Sequence, residues 1–304
     1  MTLEVWGNTF GVSGTTTSGP AVTTYAQLPV ATSVPGQVWQ LSDVNNIVVQ
    51  SLGGIWRPYG GSQVLAMRIL NPVTVQSLAE ITAEKLGPFP GGLVRAGMQL
   101  RLNWVFANGA IGTGARILRA WAGPVGSIVA SGQFGYWQTA ANNISVNGEI
   151  ISRLDVLADA SANHIATPTS NSNPLALAGG YQTQTAGVNP QTPLVNFAQA
   201  WGIDLRMQSA AETAVNITSA SWAAGIATFT TSAAHTLAVG DKTVIADITP
   251  TGYNVAAGAI VLSVPTTTSF TVAMAADPGA YTSGGTSSRI SNMISRSYIL
   301  TLTG

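Results

Sequence analysis

The chain has 304 residues, enough for two or three domains, and 46% of them are hydrophobic, ample to fill a core in each. Twelve basic residues balance twelve acidic ones, and charged residues make up 8% of the chain, against roughly 25% in ordinary soluble domains. That excludes the basic field by which a protein gathers nucleic acid, and the absence of cysteine excludes disulfides, thiol chemistry and cysteine-based zinc sites together.

The N-terminal MTLEVWGNTF lacks the basic start and apolar core of a signal peptide, so release from a cell is expected through lysis or assembly. No stretch reaches the roughly 18 apolar residues of a membrane span, and no membrane insertion is expected. A Gly/Ser/Thr-rich lead, Gly7 to Thr24, precedes TYAQLPVATSVPGQVWQLSDVNNIVVQSLGGIWRPYGG. There the short apolar runs Val38 to Leu41 and Ile47 to Val49 flank Asp43, Asn45 and Asn46, which predicts a hairpin closed by Trp56. The order Tyr-x-x-Leu-Pro, Val-Pro-Gly, Ser-Asp, Gly-Gly-Ile-Trp-Arg-Pro is similar to a short module near the N-terminal end of phage fibre and tail-associated proteins. The resemblance implies that residues 1–61 are an N-terminal β module that anchors the chain to another virion protein.

Strands are predicted next at Val64 to Ile69, Val73 to Ile81, Gln99 to Phe106, Ala115 to Trp121, Ile144 to Ser152 and Phe197 to Met207, from β-branched content and a period of two. Gln76 to Lys85 is the one segment with the pattern of a helical turn. Gly87-Pro88-Phe89-Pro90-Gly91-Gly92 and Asn108-Gly109 read as turns. Gly132 to Gln138 reads as a further turn, and Ala158 to Pro193 as a long loop rich in Ser, Thr, Asn, Gln, Gly and Pro.

Between these and the end lies IATFTTSAAHTLAVGDKTVIADITPTGYNVAAGAIVLSVPTTTSFTVAMAADPGAYTSGG, where Ile226 to Thr230, Thr243 to Ile248, Ala259 to Val264 and Ser269 to Met274 read as strands of a small sandwich. Its order of Gly-Ile-Ala-Thr-Phe-Thr-Thr, His-Thr-Leu-Ala-Val-Gly-Asp, Thr-Thr-Ser-Phe-Thr-Val, Asp-Pro-Gly and Ser-Gly-Gly resembles an immunoglobulin-like module that recurs in structural proteins of tailed bacteriophages. A lone strand, Tyr298 to Leu302, must then pair with something earlier, because one strand is not a domain, and it is expected to complete the sheet that Gly202 to Met207 begins. Residues 213–290 are therefore expected to be an insertion, and residues 62–212 with 291–304 one β domain around it. Such an insertion is expected to tolerate excision by a linker from Ala211 to Asn292. The topology resembles the jelly-roll heads of trimeric phage fibre and decoration proteins. The expected fold is all-β: a small N-terminal β module, a jelly-roll-like β-sandwich and an inserted Ig-like β-sandwich.

Chemistry is sparse in this sequence. His235 precedes Leu237-Ala238-Val239-Gly240-Asp241 and reads as a brace for a turn, as does Asp241; His164 stands far from it, so no transition-metal set is expected. Glu80 with Glu84 and Asp155 with Asp159 have the spacing of paired carboxylates for glycoside cleavage, but no repeat of a β-helical depolymerase accompanies them. Neither a Gly-x-Ser-x-Gly elbow nor a Walker loop occurs. No catalytic, cofactor-binding or metal-binding residues are assigned, and no cofactor is expected.

Ten of the twelve cations are Arg, a side chain suited to buried interfaces or simply the mark of a GC-rich genome. Of the eight tryptophans, Trp104, Trp121 and Trp201 fall in predicted strands and read as packing residues. Trp137, beside Tyr136, is the best candidate for contact with a receptor, together with Tyr181 in the long loop. The expected partners are two further copies in a homotrimer, a capsid or tail protein at the N-terminal module, and host surface glycan as ligand. The expected location is the virion surface. The sequence leaves three roles open: a tail or head fibre, a capsid decoration protein, and a polysaccharide depolymerase.

Overall fold

A computed structural model describes residues 20–108, 116–126, 132–139, 146–159, 162–163, 165–172, 181–182 and 194–304. Among them the secondary structure is β-strand with isolated 3-10 turns and no α-helix. The fold is all-β. The described residues form two compact units, one within residues 20–63 with Gly304 and the other within residues 64–303.

The first unit is a four-stranded sheet, β1 (Ala21–Thr23), β2 (Val38–Leu41), β3 (Ile47–Leu52) and β4 (Ile55–Pro58), in that order, with β1 parallel to β2 and the rest antiparallel. Asn45 and Asn46 adopt φ of 48° and 56° between β2 and β3, the left-handed conformation that a tight hairpin turn requires and asparagine tolerates. Leu41, Val44, Ile47 and Val49 form the core, and the Trp56 indole donates to the Pro29 carbonyl at 3.0 Å. The predicted hairpin is present.

In the second unit, two sheets make a sandwich. One contains β5 (Ser62–Arg68), β6 (Val73–Val75), β8 (Gln99–Asn108), β11 (Val146–Asp155), β13 (Ile165–Ser172) and β23 (Met293–Thr303), in the order β13-β11-β8-β23-β5, with β6 also on β23. The other contains β7 (Ile81–Phe89), β9 (Ile117–Pro124), β10 (Gln133–Thr139), β14 (Tyr181–Gln182) and β16 (Trp201–Gln208), in the order β14-β10-β9-β16-β7. β12 (Ala162–Asn163) and β15 (Leu194–Val195) form a separate two-stranded sheet, and β15 packs beside β9 with Val195 buried. Alternate residues of each strand enter the core: Leu100, Leu102, Trp104 and Phe106 of β8 face Leu118, Ala120 and Ala122 of β9 and Ile203, Leu205 and Met207 of β16. The C-terminal β23 lies beside β8 from Met293↔Asn108 to Thr303↔Gln99, and not, against expectation, in the sheet of β16, because Leu300 and Leu302 pair with Leu102 and Leu100 and share their buried face.

Three local expectations are corrected. The segment from Gln76 to Lys85 contains no helical turn, and β7 continues through Gly87 and Pro88 to Phe89. One extra residue is absorbed there as a bulge, since Leu86 pairs Ile203 while Phe89 pairs Trp201; Gly87 takes φ of 104°, and the missing proline N–H costs nothing on an edge strand. Gly132 to Gln138 is largely strand, β10. The long loop contains β13, which pairs with β11 along its whole length, from Asp155↔Ile165 to Gly148↔Ser172. It is an edge strand, where backbone pairing suffices and Pro168 is tolerated, so its polar composition hides it.

The inserted module comprises β17 (Val215–Ala223), β18 (Ile226–Thr231), β19 (Lys242–Thr249), β20 (Val255–Thr266), β21 (Ser269–Ala273) and β22 (Ser283–Arg289). Its two sheets share β17 and β20 and so close into a barrel of order β17-β18-β21-β20-β19-β22. Phe229 stacks on Phe270 at 5.3 Å within a core that includes Ile217, Ile245, Ile248, Tyr253, Val261 and Val272. Strand β22 carries no large apolar residue because there is no room for one: a Cβ on Gly285 would lie 2.4 Å from Ile248 Cγ1.

Candidate recognition surface

The β14-β10-β9-β16-β7 sheet gathers the candidate contact residues. Tyr136 and Trp137 lie on β10, and Tyr181 lies on β14, paired with Thr139 of β10. The three share two adjacent strands at one edge of this sheet, a grouping that their separation in sequence does not reveal. Register sets Tyr136 opposite Arg119 and Trp137 opposite Leu118 of β9.

Register then defines two rows across the sheet. One runs Thr82, Arg206, Arg119, Tyr136, and the other Lys85, Asp204, Trp121, Gln133. Alternation places Arg206 with Arg119, and Asp204 with Trp121, on the face away from the core, because Leu118, Ala120, Ile203 and Leu205 occupy the intervening inward positions.

On this face the side chains hold one another. Trp121 donates its indole N–H to Glu80 Oε1 at 3.2 Å, Arg119 donates Nη1 to Glu80 Oε2, and the Arg206 guanidinium lies 5.6 Å from the Trp121 ring centre. Asp204 Oδ2 accepts from Thr82 Oγ1 at 3.2 Å and from Arg206 Nη2 at 3.3 Å. Asp204 and Trp121 are buried under this lattice, while Arg119, Arg206 and Glu80 keep part of their surface in solvent. Planar guanidinium and carboxylate groups fixed side by side offer donors and acceptors together, the chemistry that adjacent hydroxyls of a sugar can meet.

The sequence marks Trp121 as a packing residue in a strand and Glu80 as half of a carboxylate pair, and it does not single out Arg119, Asp204 or Arg206. The signal was the two-residue spacing of Arg119 with Trp121 and of Asp204 with Arg206, which puts each pair on one face.

The paired carboxylates have other duties. Arg68 binds Glu84 inside the sandwich and Arg119 binds Glu80 outside it; Asp155 accepts from Gln99 at 2.9 Å and Arg153 at 3.0 Å, and Asp159 from the Ala96 N–H at 2.6 Å and Arg95 at 3.1 Å. His235 Nδ1 accepts from the Leu237 N–H at 3.3 Å, and its ring meets Phe270 edge-on at 5.5 Å, the geometry of a turn brace. Asp241 caps the same turn, accepting the Ala238 N–H at 2.8 Å. His164 lies outside the described residues. Among the described residues no three metal-ligating side chains come together. No protein-family model, curated protein or solved structure matches this chain.

Proposed function

We propose that this chain is a non-enzymatic surface protein of a tailed-bacteriophage virion, a homotrimeric tail or head fibre that engages host surface glycans. The observation that carries the reading is the likeness of residues 226–285 to the phage immunoglobulin-like module, in a chain whose other parts resemble a phage anchoring module and a jelly-roll head. The all-β architecture supports it, as does a last strand that returns through the sandwich. Near-absent charge suits a chain whose surfaces meet other subunits, and weak glycan sites gain strength from several copies. The reading makes the chain an interaction protein located on the virion surface, attached to a capsid or tail protein by residues 1–61.

Capsid decoration is the alternative role. It draws on the exposed apolar corner of Met67, Ile69 and Leu70 at the end of the edge strand β5, which suits a broad contact on a shell better than a sugar. Polysaccharide cleavage has less support, since each candidate carboxylate is held by a structural partner.

Replacing Tyr136, which register sets opposite Arg119, and Tyr181 by Ala tests the choice. In the fibre role the variant binds host cells more weakly while its oligomeric state is kept. Unchanged cell binding, with the protein lost from particles or the particles less heat-stable, supports decoration. Shortened chains after incubation with host capsule would make the protein a depolymerase and overturn the proposal.

A further inference from the structure

The barrel and the sandwich are joined by two crossings of the chain, one leaving β16 through residues 209–214 and one entering β23 through residues 290–292. Flexible linkers are exposed, polar and solvated. These crossings are buried at residues 209–210, 212 and 290–291, exposed only at Thr213 and Ala214, and bonded to each other. Ala211 and Ile290 form an antiparallel bridge, the Glu212 N–H donates to the Arg289 carbonyl at 2.7 Å, and the Ser291 N–H donates to the Ala210 carbonyl at 2.9 Å. Ser209, Ala210, Ile290 and Ser291 are buried, and Ser209 is tied to the sandwich through its N–H to Ser77 and its hydroxyl to Val75.

Around this crossing lie four charged side chains. Arg116, 1% exposed, extends from the start of β9 and donates Nε to Ser291 Oγ at 3.0 Å. Glu212, 7% exposed, accepts from Thr236 Oγ1 at 3.2 Å and lies 3.6 Å from Arg289 Nη1. Arg289 Nε is 2.9 Å from Asp241 Oδ2, and Gln76 of the sandwich reaches both Asp241 Oδ1 and the Ile290 carbonyl at 3.3 Å. The sandwich thus supplies Gln76 and Arg116, the barrel supplies Thr236, Asp241 and Arg289, and the crossing supplies Glu212 and Ser291.

Two charges of each sign balance here, and turning the barrel against the sandwich would separate them without giving them water. Burial pushes the Glu212 carboxyl up and the Arg116 guanidinium down, so desolvation outweighs the attraction of the opposite charges. A buried network with that balance is weak evidence of net stability, whereas pulling its opposite charges apart would leave each uncompensated.

We propose that residues 209–214 and 289–292 form a rigid joint, locked by Arg116, Glu212, Arg289 and Asp241, which points the barrel in one fixed direction from the sandwich. Strands β17, β19 and β22 span from this joint to a far end where three loops meet. There the Met274 N–H donates to the Gly225 carbonyl at 2.8 Å, the Thr282 N–H to the Thr249 carbonyl at 2.8 Å, and the Tyr253 hydroxyl to the Gly279 carbonyl at 3.0 Å. The joint therefore aims a bonded loop tip, whichever virion role the chain has.

The chain's lack of cysteine allows a direct test. Spin labels at Val125→Cys on the sandwich and Thr251→Cys at the barrel's far end, both exposed positions, report the distance between them in full-length protein diluted with unlabelled chains. A single narrow distribution is expected. Adding Arg116→Met with Glu212→Leu, which removes one buried charge of each sign, is expected to widen it at least twofold while both parts stay folded. A broad distribution without those changes, or an unaltered width with them, overturns the proposal. If the altered chain does not fold, the width in its unaltered counterpart decides alone.

Discussion

Arg68 of β5 grips Glu84 of β7 with two parallel bonds, Nε to Oε2 at 2.7 Å and Nη2 to Oε1 at 2.5 Å, and so ties the two sheets of the sandwich together at one side. Ser295 lies between them. Its hydroxyl donates to Glu84 and accepts from Arg68 Nη2 at 2.8 Å and from the Trp104 indole at 2.9 Å. A bulge in β23 helps: Ser295 pairs Phe106 and Ser297 pairs Val105, and the carbonyl of the extra residue, Arg296, accepts from Arg68 Nη1 at 3.0 Å. Glu84 raises the pKa of the guanidinium, chiefly through the hydrogen bond, while burial raises that of the Tyr298 hydroxyl beside it.

Removing one partner should be costly. Glu84→Ala takes both carboxylate oxygens from a mostly buried guanidinium, which keeps only neutral acceptors such as those on Asn71, Ser295 and Arg296, and a loss of about 3 kcal/mol is expected from the behaviour of broken, mostly buried ion pairs. The double change Arg68→Met with Glu84→Leu should lose less than Glu84→Ala alone. Urea unfolding of the three proteins checks this, and a double variant worse than the single one would show that the pair is net stabilising.

Glu212 gives the stability a predictable pH dependence. Its carboxyl is raised above 4.5 chiefly by burial, so the folded chain holds that proton more tightly than the unfolded chain does. The resulting stabilisation is fully present below the unfolded pKa and is lost as pH rises through the folded one. Relative to Glu212→Gln, which cannot titrate, the unaltered protein should gain stability as pH falls from neutral towards 4.5. Paired denaturation curves across that range measure it, and a difference that stays constant or shrinks on acidification would mean that the arginines dominate instead.

Excision of the barrel should succeed only with the right junction. Joining Ala211 to Asn292 removes Glu212 and Ser291 and leaves the buried Arg116 without either, whereas a Gly/Ser linker from Glu212 to Ser291 keeps both. The second junction should fold, and the first should be less stable by roughly 1–3 kcal/mol, the cost of taking the Ser291 acceptor from a buried donor. Equal melting of the two proteins would contradict this role for Arg116.

These residues show what was legible in the sequence. Strands with large alternating side chains, such as Leu100, Leu102 and Trp104 of β8 or Phe270 and Val272 of β21, announce themselves, because side-chain burial selects them. Strands β13 and β22 do not, because their backbones complete a ladder while their residues are small or polar. The joint was hidden for another reason. Gln76, Arg116, Glu212, Asp241 and Ser291 are dispersed over more than two hundred positions, and only the fold brings them together. Tyr136, Trp137 and Tyr181 were picked as single residues, and their meeting at one sheet edge follows from β10 pairing with β14.

Assembly should be inseparable from folding. The exposed apolar side chains Met67, Ile69, Leu70 and Ile81 on or beside edge strands, in a chain of zero net charge, favour contact with further copies. Sedimentation at micromolar concentration should give a trimer, and a stable, monodisperse monomer would defeat that part of the proposed function.

The central claim is that this chain belongs to the outer surface of a phage particle, and imaging of purified particles carrying a label on it tests that most directly. The expected result is a threefold density projecting from head or tail, held at one end by the N-terminal unit, with the barrel in the same orientation in every copy. A label spread along the head shell through a broad contact would assign decoration instead. Particles that carry no label at all, with the protein remaining in the lysate, would contradict the account.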